Sequence, residues 1–174
     1  MSNLLLQNKI KPLITQRNLH DRVVNLGREI QAKWPETSIT LLAVSSSSQL
    51  VVRDLAELLG ATCSCLVLPF NSSGQPEVTA SWVVEQQRYW EGVCILVQEV
   101  SDTGETLLQL RDQLSSLLDI PVQTLVLLQK KTKETYVFCP DYVGFSIPDE
   151  FVVGYGMGLR GQFSQLPHIA VLTT

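Results

Sequence analysis

Residues 93–106 read VCILVQEVSDTGET, and this stretch decides the fold. Residues 93–97 are all apolar and form the strongest predicted strand of the chain. From Ser101 to Glu105 the chain is expected to turn into a helix that runs to about Leu118. A strand that is apolar throughout is typical of a parallel sheet whose two faces are both covered. The stretch therefore predicts an α/β fold with a mainly parallel, twisted sheet flanked by helices.

The rest of the chain repeats this alternation of helix and strand. Further predicted elements are helices at 18–34 and 49–59, strands at 38–44, 65–70 and 122–128, and short strands near 151–154 and 169–172. Residues 71–80 contain glycine and proline and few apolar side chains, which indicates a loop or a short lid. After Gln129 turns dominate, so the tail is expected to form a small appendage rather than more of the sheet.

Composition excludes several classes of protein. The chain has 174 residues, of which 45% are hydrophobic and 17% charged, and its net charge is −4. Intrinsic disorder is excluded because the apolar content is too high for so small a net charge. No apolar run approaches the ~20 residues that a membrane span needs. Sequence-independent nucleic-acid binding is not expected either, since there is no basic excess to neutralise phosphates.

Cysteines and histidines narrow the chemistry further. The four cysteines show no C-x-x-C pair and no histidine at ligand spacing, which argues against a zinc site. Together with the absence of a long apolar signal segment near residue 1, they predict reduced thiols in a cytoplasmic protein. With only His20 and His168 in the sequence, a Ser/His/Asp hydrolase is not expected.

The turn after residues 93–97 is the candidate functional segment, because open α/β sheets bind ligands at the carboxyl ends of their strands. Gly104 would let the backbone approach an anion closely, and Thr103 and Thr106 add hydroxyl donors. The free N–H groups at the start of the helix would attract a phosphate. Asp102 followed by Glu105 equally fits a capping box, which needs no ligand. Spacing alone leaves both interpretations open.

The wider pattern resembles a known family. An apolar strand, two polar or acidic residues, two intervening residues and D-T-G-x-T are similar to the 5-phosphoribosyl pyrophosphate (PRPP) motif of type I phosphoribosyltransferases. Residues 140–155, PDYVGFSIPDEFVVGY, are very similar to hypoxanthine-guanine phosphoribosyltransferases, and residues 166–169, LPHI, match the end of that family. The resemblance implies the type I phosphoribosyltransferase fold in one domain. Its core would span about 16–139, and a small hood would come from about 1–15 and 140–174.

The resemblance also implies an activity, the transfer of a 5-phosphoribosyl group from PRPP to hypoxanthine or guanine with Mg²⁺, as in purine salvage. The implied PRPP-binding residues, which take the ribose hydroxyls and the 5′-phosphate, are Gln98, Glu99, Asp102, Thr103, Gly104, Glu105 and Thr106. Asp102 would lie near N7 of the base and act as the general base. Glu99 and Asp149 would lie on the side of the metal ion.

On the purine side, the resemblance implies three further residues. Lys130 would donate to the exocyclic oxygen of a 6-oxopurine, Tyr142 would stack on the ring, and Val143 would contact its 2-position edge through the backbone. The residues themselves leave a structural alternative open. Lys130 and Lys131 also fit ordinary loop charges, and Tyr142 fits a core aromatic.

Departures from the family fall on the side of the pyrophosphate. Where the family carries leucine, lysine and glycines, this chain has Ser45, Ser46, Ser47 and Ser48, with Ser46 at the lysine position. Ser164 replaces an arginine, and Gln98 replaces a carboxylate. The loop at 71–78 is short and lacks the Ser-Tyr pair of the family's lid. We therefore expect weakened handling of PRPP with an intact purine side.

Three functions remain open at this stage. The leading one is a purine phosphoribosyltransferase whose partners are PRPP, a purine base and a purine nucleoside monophosphate, with no nucleic acid and no membrane. The rival is a catalytically impaired homologue that binds a purine nucleotide as a sensor or partner subunit. A phosphoribosyltransferase for another base is less compatible with Lys130. By resemblance, a homodimer or homotetramer is expected.

Overall fold

The computed structural model describes residues 10–131 and 138–173. Its central sheet consists of β2 (Ile39–Ala43), β3 (Cys63–Val67), β4 (Val93–Ser101), β5 (Val122–Lys131) and β6 (Tyr142–Pro148). The five strands are all parallel, in the spatial order β3-β2-β4-β5-β6. The predicted α/β fold with a mainly parallel sheet is therefore confirmed.

Helices cover both faces of this sheet. On one face lie α1 (Gln16–Lys33) and α2 (Gln49–Leu59), and on the other lie α3 (Ala80–Glu85) and α4 (Glu105–Leu117). Because side chains alternate along a strand, Leu41 packs toward α1 and α2 while Leu42 packs toward α4, and both are fully buried. Two buried clusters, one on each face, form the core. None of the described helices has the length and the apolar composition needed to cross a bilayer.

A second, three-stranded antiparallel sheet forms a hood beside the α1 and α2 face. It consists of β1 (Ile10–Ile14), β7 (Val152–Val153) and β8 (Ile169–Leu172), in the order β1-β8-β7. The hood therefore draws on the beginning and the end of the described chain. Its expected boundary near residue 140 is wrong, because β6 belongs to the central sheet and pairs with β5.

The sequence reading missed β1, α3 and β6. In β6 only Tyr142 and Ile147 are buried, so its outward-facing positions dilute the apolar signal that marks the inner strands. The α2 helix begins at Gln49 and ends at Leu59, as predicted. The strand expected at 65–70 instead spans Cys63–Val67, and the one predicted at 93–97 continues to Ser101. This extension of β4 carries the polar side chains of the candidate site to the edge of the sheet.

Candidate functional site

Four neighbouring strands deliver the candidate residues to one edge of the central sheet. The serine loop (residues 45–48) follows β2, and the anion turn (residues 102–106) follows β4. Lys130 lies at the end of β5, and Asp149 directly follows β6. A cavity of about 210 Å³ opens there, lined by Ser47, Glu99, Val100, Lys130, Phe151, Val152, Met157 and Gly158. The expectation that the site forms at the carboxyl ends of parallel strands thus agrees with the geometry.

Lys130 joins two of the other predicted residues. Its Nζ lies 3.0 Å from Oδ1 of Asp102 and 3.6 Å from Oδ1 of Asp149. The Lys130 side chain is only 16% exposed, so water screens its charge less than on an open surface. Lys131, the next residue, is exposed. Lys130 is therefore an organised cation of the site, which an ordinary loop charge would not be.

The anion turn is shaped by Gly104. Its φ of 84° lies in the left-handed region, and a Cβ there would come within 2.9 Å of the carbonyl oxygen of Phe138. Because α4 begins at Glu105, that residue is the first of the helix, and a capping box with Asp102 does not form. Gly104 offers no side-chain cap, and the Oγ of Thr103 lies 3.5 Å from the amide nitrogen of Glu105, a long contact. The first N–H groups of α4 therefore suit an external anion.

Glu99 is the carboxylate that reaches the cavity. Its Oε2 accepts a hydrogen bond of 2.7 Å from the Oγ of Ser45. Burial raises the pKa of Glu99, while the hydrogen bond from Ser45 acts in the opposite direction. The neighbouring Gln98 has a different environment, because successive side chains of a strand point to opposite faces. Its Oε1 is buried and has no hydrogen-bond partner among the described residues, so it offers an acceptor to an incoming donor.

The serine loop is closed by its own side chains. The amide of Ser45 donates to Oγ of Ser48 at 3.0 Å, and the amide of Ser48 donates to Oγ of Ser45 at 2.9 Å. The hydroxyl of Ser48, which is fully buried, also donates to the carbonyl of Ser45 at 2.9 Å. Ser46 is exposed and Ser47 lines the cavity. The loop therefore presents hydroxyl and amide groups but no cation.

Two predicted purine contacts are wrong. Tyr142 lies at the amino end of β6, is 6% exposed, and packs in the core, where its hydroxyl accepts a hydrogen bond of 3.2 Å from Nε1 of Trp34. The carbonyl of Val143 accepts from Nη2 of Arg22 at 2.6 Å. Both residues were assigned from the similarity of residues 140–155 without β6 being recognised as a sheet strand. Its amino end is the wrong edge for a ligand, so the core-aromatic interpretation of Tyr142 is correct.

Phe151 is the aromatic residue that the sequence reading missed. It follows the carboxyl end of β6, lines the cavity together with Lys130, and is 51% exposed. An exposed ring beside a partly buried cation is suited to covering a flat heteroaromatic ligand. The sequence held one usable signal, the position of Phe151 in the chain. If β6 had been predicted as a strand, Phe151 would have been expected near its carboxyl end, where open α/β sheets bind ligands, and Tyr142 at its amino end.

The 71–78 loop folds back on itself. Oδ1 of Asn71 accepts from the amides of Ser73 and Gln75, each at 3.0 Å, and the amide of Gly74 donates to the carbonyl of Asn71 at 2.9 Å. These local bonds make a compact turn of this segment. Of the two alternatives from the sequence, the geometry favours a loop over a lid.

The carboxylates at the site decide which kind of magnesium site it can form. Mg²⁺ is usually held by one or two carboxylates together with waters and substrate phosphates. Glu99 and Asp149 offer such oxygens, whereas no group of three or more potential ligand residues occurs within 10–131 and 138–173. The residues therefore fit an ion that arrives with a phosphorylated substrate rather than one enclosed by protein ligands.

The chain is similar in sequence to several curated proteins, although no family model matches it. It is 28% identical over 166 residues to the bifunctional protein TilS/HprT of Listeria innocua, an alignment that covers 93% of this chain and 26% of that protein. The chain thus spans about a quarter of this relative's length. It is also 28% identical over 171 residues to the hypoxanthine phosphoribosyltransferase of Buchnera aphidicola, covering 94% of this chain and 96% of the relative.

A solved structure extends the likeness to three dimensions. The chain matches the hypoxanthine-guanine phosphoribosyltransferase of Bacillus anthracis with a TM-score of 0.77 and 25% sequence identity. The match covers 94% of this chain and 99% of that structure. The fold of the described residues is therefore that of a type I phosphoribosyltransferase.

Proposed function

Because the chain belongs to the hypoxanthine-guanine phosphoribosyltransferase family, we propose that it transfers the 5-phosphoribosyl group of PRPP to a 6-oxopurine base in purine salvage. The observation that carries this proposal is the arrangement of Lys130 between Asp102 and Asp149 at the strand ends, beside the exposed ring of Phe151. The cavity beside these residues has a volume of about 210 Å³.

Lys130 and Asp102 are suited to neighbouring atoms on one edge of the purine, the exocyclic oxygen and N7. In the transfer, N9 of the base forms a bond to C1′ of the ribose while the bond from C1′ to pyrophosphate breaks. Asp102, as the general base, accepts the N7 proton that the base loses. Lys130 donates to the exocyclic oxygen, where electron density must be stabilised as the purine reacts. The 3.0 Å ion pair between the two residues orients the carboxylate of Asp102 before the base binds.

The phosphoribosyl group would be held by the end of β4 and the anion turn. In the proposal, the first N–H groups of α4 and the hydroxyls of Thr103 and Thr106 bind the 5′-phosphate. Glu99 accepts from the ribose hydroxyls, whereas Gln98, whose side chain points to the opposite face of β4, is assigned to the ribose by the resemblance alone. Magnesium, when bound, would neutralise charge on the pyrophosphate, and Glu99 and Asp149 are the residues proposed to hold it.

Transfer is best tested with purified protein, PRPP and Mg²⁺, each of hypoxanthine, guanine and xanthine being supplied in turn. The proposal expects nucleoside monophosphate and pyrophosphate in equal amounts with at least one base. An Asp102→Asn variant should lose most of the turnover while still binding nucleotide, because the amide keeps the shape but cannot accept the proton. Asp112→Asn, the same exchange at an exposed position of α4 outside the anion turn, is the matched control and should remain active.

Nucleotide binding without transfer to any of the three bases would contradict the proposal. It would favour the alternative function, a nucleotide sensor or partner subunit. Transfer that survives Asp102→Asn unchanged would retain the activity but refute the role given to Asp102.

We also propose an oligomeric state and a cellular location for the chain. A homodimer or homotetramer is to be sought by light scattering of the purified chain. A cytoplasmic location is consistent with the free thiols of all four cysteines.

A further inference from the structure

Among the described residues, one segment supplies half of the lining of the candidate cavity. Residues 151–158, here called the cavity wall, contribute Phe151, Val152, Met157 and Gly158. The wall contains β7 and the tight turn that follows it. Two hydrogen bonds close this turn, since the amide of Gly154 donates to the carbonyl of Met157 at 2.8 Å and the amide of Met157 donates back at 3.1 Å. The position of the turn therefore sets the shape of the cavity.

Tyr155 has an unfavourable backbone conformation inside this turn. Its φ of 49° lies in the left-handed region, which a bulky residue keeps only where the surrounding structure holds it. Both of its neighbours are glycines in the same region, Gly154 with a φ of 98° and Gly156 with a φ of 90°. The Tyr155 side chain is buried in the core cluster on the α1 and α2 face of the sheet. Contacts of that side chain are thus positioned to hold the turn.

The hydroxyl of Tyr155 is bonded to α2. It donates to Oδ2 of Asp54, a residue in the middle of that helix. The other carboxylate oxygen, Oδ1, accepts from Nε and Nη2 of Arg53 at 3.0 and 2.7 Å. A hydrogen bond to a carboxylate is charge-assisted and stronger than one between neutral groups. Because Tyr155 and Asp54 are 101 residues apart in the chain, this bond ties the cavity wall to a distant element.

The cavity wall also approaches the serine loop, which directly precedes α2. A Cβ on Gly156 would lie 2.7 Å from the carbonyl oxygen of Ser47, so only a glycine fits there without moving one of the two segments. Ser47 itself lines the cavity. Two adjacent residues of the wall, Tyr155 and Gly156, therefore fix its distance from α2 and from the serine loop.

We propose that Tyr155, through its hydrogen bond to Asp54, is a positioning residue that holds the cavity wall in place for nucleotide binding. Tyr155 is not among the described residues that line the cavity, so it acts through Phe151 and Met157 rather than by touching the ligand. This inference rests on the proposed function, because it takes the cavity to be the site of the purine nucleotide.

Calorimetry with GMP tests the proposal on the variant Tyr155→Phe. Phenylalanine keeps the ring in the core and removes only the hydroxyl that bonds to Asp54. We expect the affinity for GMP to fall about three- to tenfold, because losing a charge-assisted bond corresponds to a factor of about ten or more and the binding equilibrium takes up part of it.

Tyr89→Phe is the matched control for this exchange. The hydroxyl of Tyr89 accepts a hydrogen bond of 2.7 Å from Nη2 of Arg88, so the control also loses one bonded hydroxyl. Tyr89 precedes the amino end of β4, whereas the cavity lies at the carboxyl ends of the strands. The affinity of Tyr89→Phe for GMP should equal that of the wild type.

Two further measurements separate positioning from a general loss of stability. Asp54→Ala removes the acceptor, and the double variant with Tyr155→Phe should bind GMP no more weakly than the weaker single variant, because both changes break the same bond. In the ligand-free protein, NMR hydrogen exchange should accelerate more for the amides of Gly156 and Met157 than for that of Leu127 in β5 when Tyr155 is replaced by phenylalanine.

Unchanged GMP affinity in Tyr155→Phe would overturn the proposal, even in a less stable variant, because the hydroxyl would then have a structural role only. Equal acceleration of exchange at Met157 and Leu127, or additive losses of affinity in the double variant, would also overturn it. None of these measurements needs PRPP or a free base. A wild type that binds GMP but transfers nothing would refute the proposed function and not this inference, whereas a wild type that does not bind GMP would refute both.

Discussion

The two halves of the candidate site, the serine loop and the anion turn, differ in how their polar groups are bonded. The serine loop and the anion turn each connect the carboxyl end of an inner strand to a helix. The anion turn is kept open by the left-handed Gly104, and the cation of Lys130 lies beside it, 3.0 Å from Asp102. The serine loop instead bonds its own amides and hydroxyls to each other, and its hydroxyl on Ser45 donates to Glu99.

The difference shows which ligand groups each half can recognise. A polyanion is bound strongly only where cations or free N–H groups face it. The half that holds Lys130 and the start of α4 has both kinds of group. The serine loop has no cation, and the amides and hydroxyls of Ser45 and Ser48 already donate within the loop or to Glu99. We therefore expect the purine and 5′-phosphate to be bound well and the pyrophosphate poorly.

Adding the missing cations should give the largest effect. The double variant Ser46→Lys, Ser164→Arg should bind PRPP about a hundredfold more tightly, because each restored cation–phosphate contact is worth roughly 1–3 kcal/mol. Binding of GMP should hardly change, since GMP carries no pyrophosphate. Calorimetry with both ligands measures the two affinities.

Ser72→Lys is the control for the added charge, because Ser72 is exposed and lies in the 71–78 loop. It should leave PRPP affinity nearly unchanged. If the wild type already binds magnesium-PRPP at low micromolar affinity and turns over guanine, the contrast between the two halves is wrong.

The next largest effect is expected when Lys130, the cation beside the anion turn, is removed. Lys130→Ala should weaken GMP binding by roughly ten- to a hundredfold, since a charge-assisted hydrogen bond of a partly buried group is worth about 1.5–3 kcal/mol. Lys131→Ala should have a much smaller effect, because Lys131 is exposed. Lys133→Ala is expected to behave like Lys131→Ala, although Lys133 lies outside the described residues. Equal losses in all three variants would mean that the lysines act only as diffuse charge.

Breaking the closed serine loop should cost stability. Ser45→Ala removes the acceptor for the amide of the buried Ser48 and the donor to Glu99, which should lower the free energy of unfolding by about 1–3 kcal/mol. Ser46→Ala, in the same loop but exposed, should change it by less than about 0.5 kcal/mol. Urea denaturation compares the two. Similar values would show that the side-chain network does not hold the loop.

Replacing Phe151 should weaken GMP binding more than replacing Tyr142, although the expected effect is smaller than that of Lys130→Ala. Phe151→Ala should weaken GMP binding about two- to tenfold, in line with the ~0.5–1.5 kcal/mol of an aromatic pair. Tyr142→Phe removes only the hydroxyl that Trp34 bonds in the core, so it should alter stability slightly and leave GMP affinity unchanged. Val84→Ala, an exposed apolar change on α3, is the control. Because Tyr142→Phe keeps the ring, Tyr142→Leu tests the stacking assignment: a larger loss of GMP affinity in the folded Tyr142→Leu variant than in Phe151→Ala would restore it.

The smallest effect concerns the pH dependence of stability. Burial raises the pKa of Glu99 in the folded state above its unfolded value, so the ionised form opposes folding. Wild-type stability should therefore fall as pH rises above about 4.3, the unfolded value, and level off once Glu99 is ionised in the folded state too. Glu99→Gln should be more stable than the wild type at pH 7, with a difference that vanishes on acidification. Thermal denaturation of the wild type and Glu99→Gln across this pH range measures the difference.

Much of the fold could be predicted because local patterns marked it. The apolar run of β4 and the Gly60 that ends α2 were both readable, and both were located correctly. The edge strand β6 was not, because half of its residues face outward and its apolar pattern is weak. Because β6 was not predicted, the purine contacts were also misplaced. Ligands bind at the carboxyl end of a parallel strand, and that end can be located only when the strand has been recognised.

The sequence alone predicted the parallel α/β architecture and the resemblance to the family, and it led us to expect that cations are missing around Ser46 and Ser164. These properties depend on residue type and on neighbours in the chain. The tertiary structure alone decided that Lys130 pairs with both Asp102 and Asp149, that Phe151 rather than Tyr142 lines the cavity, and that Ser45 donates to Glu99. Each of these contacts joins segments from different strands, and their separation in space is set by sheet order, which no local pattern contains.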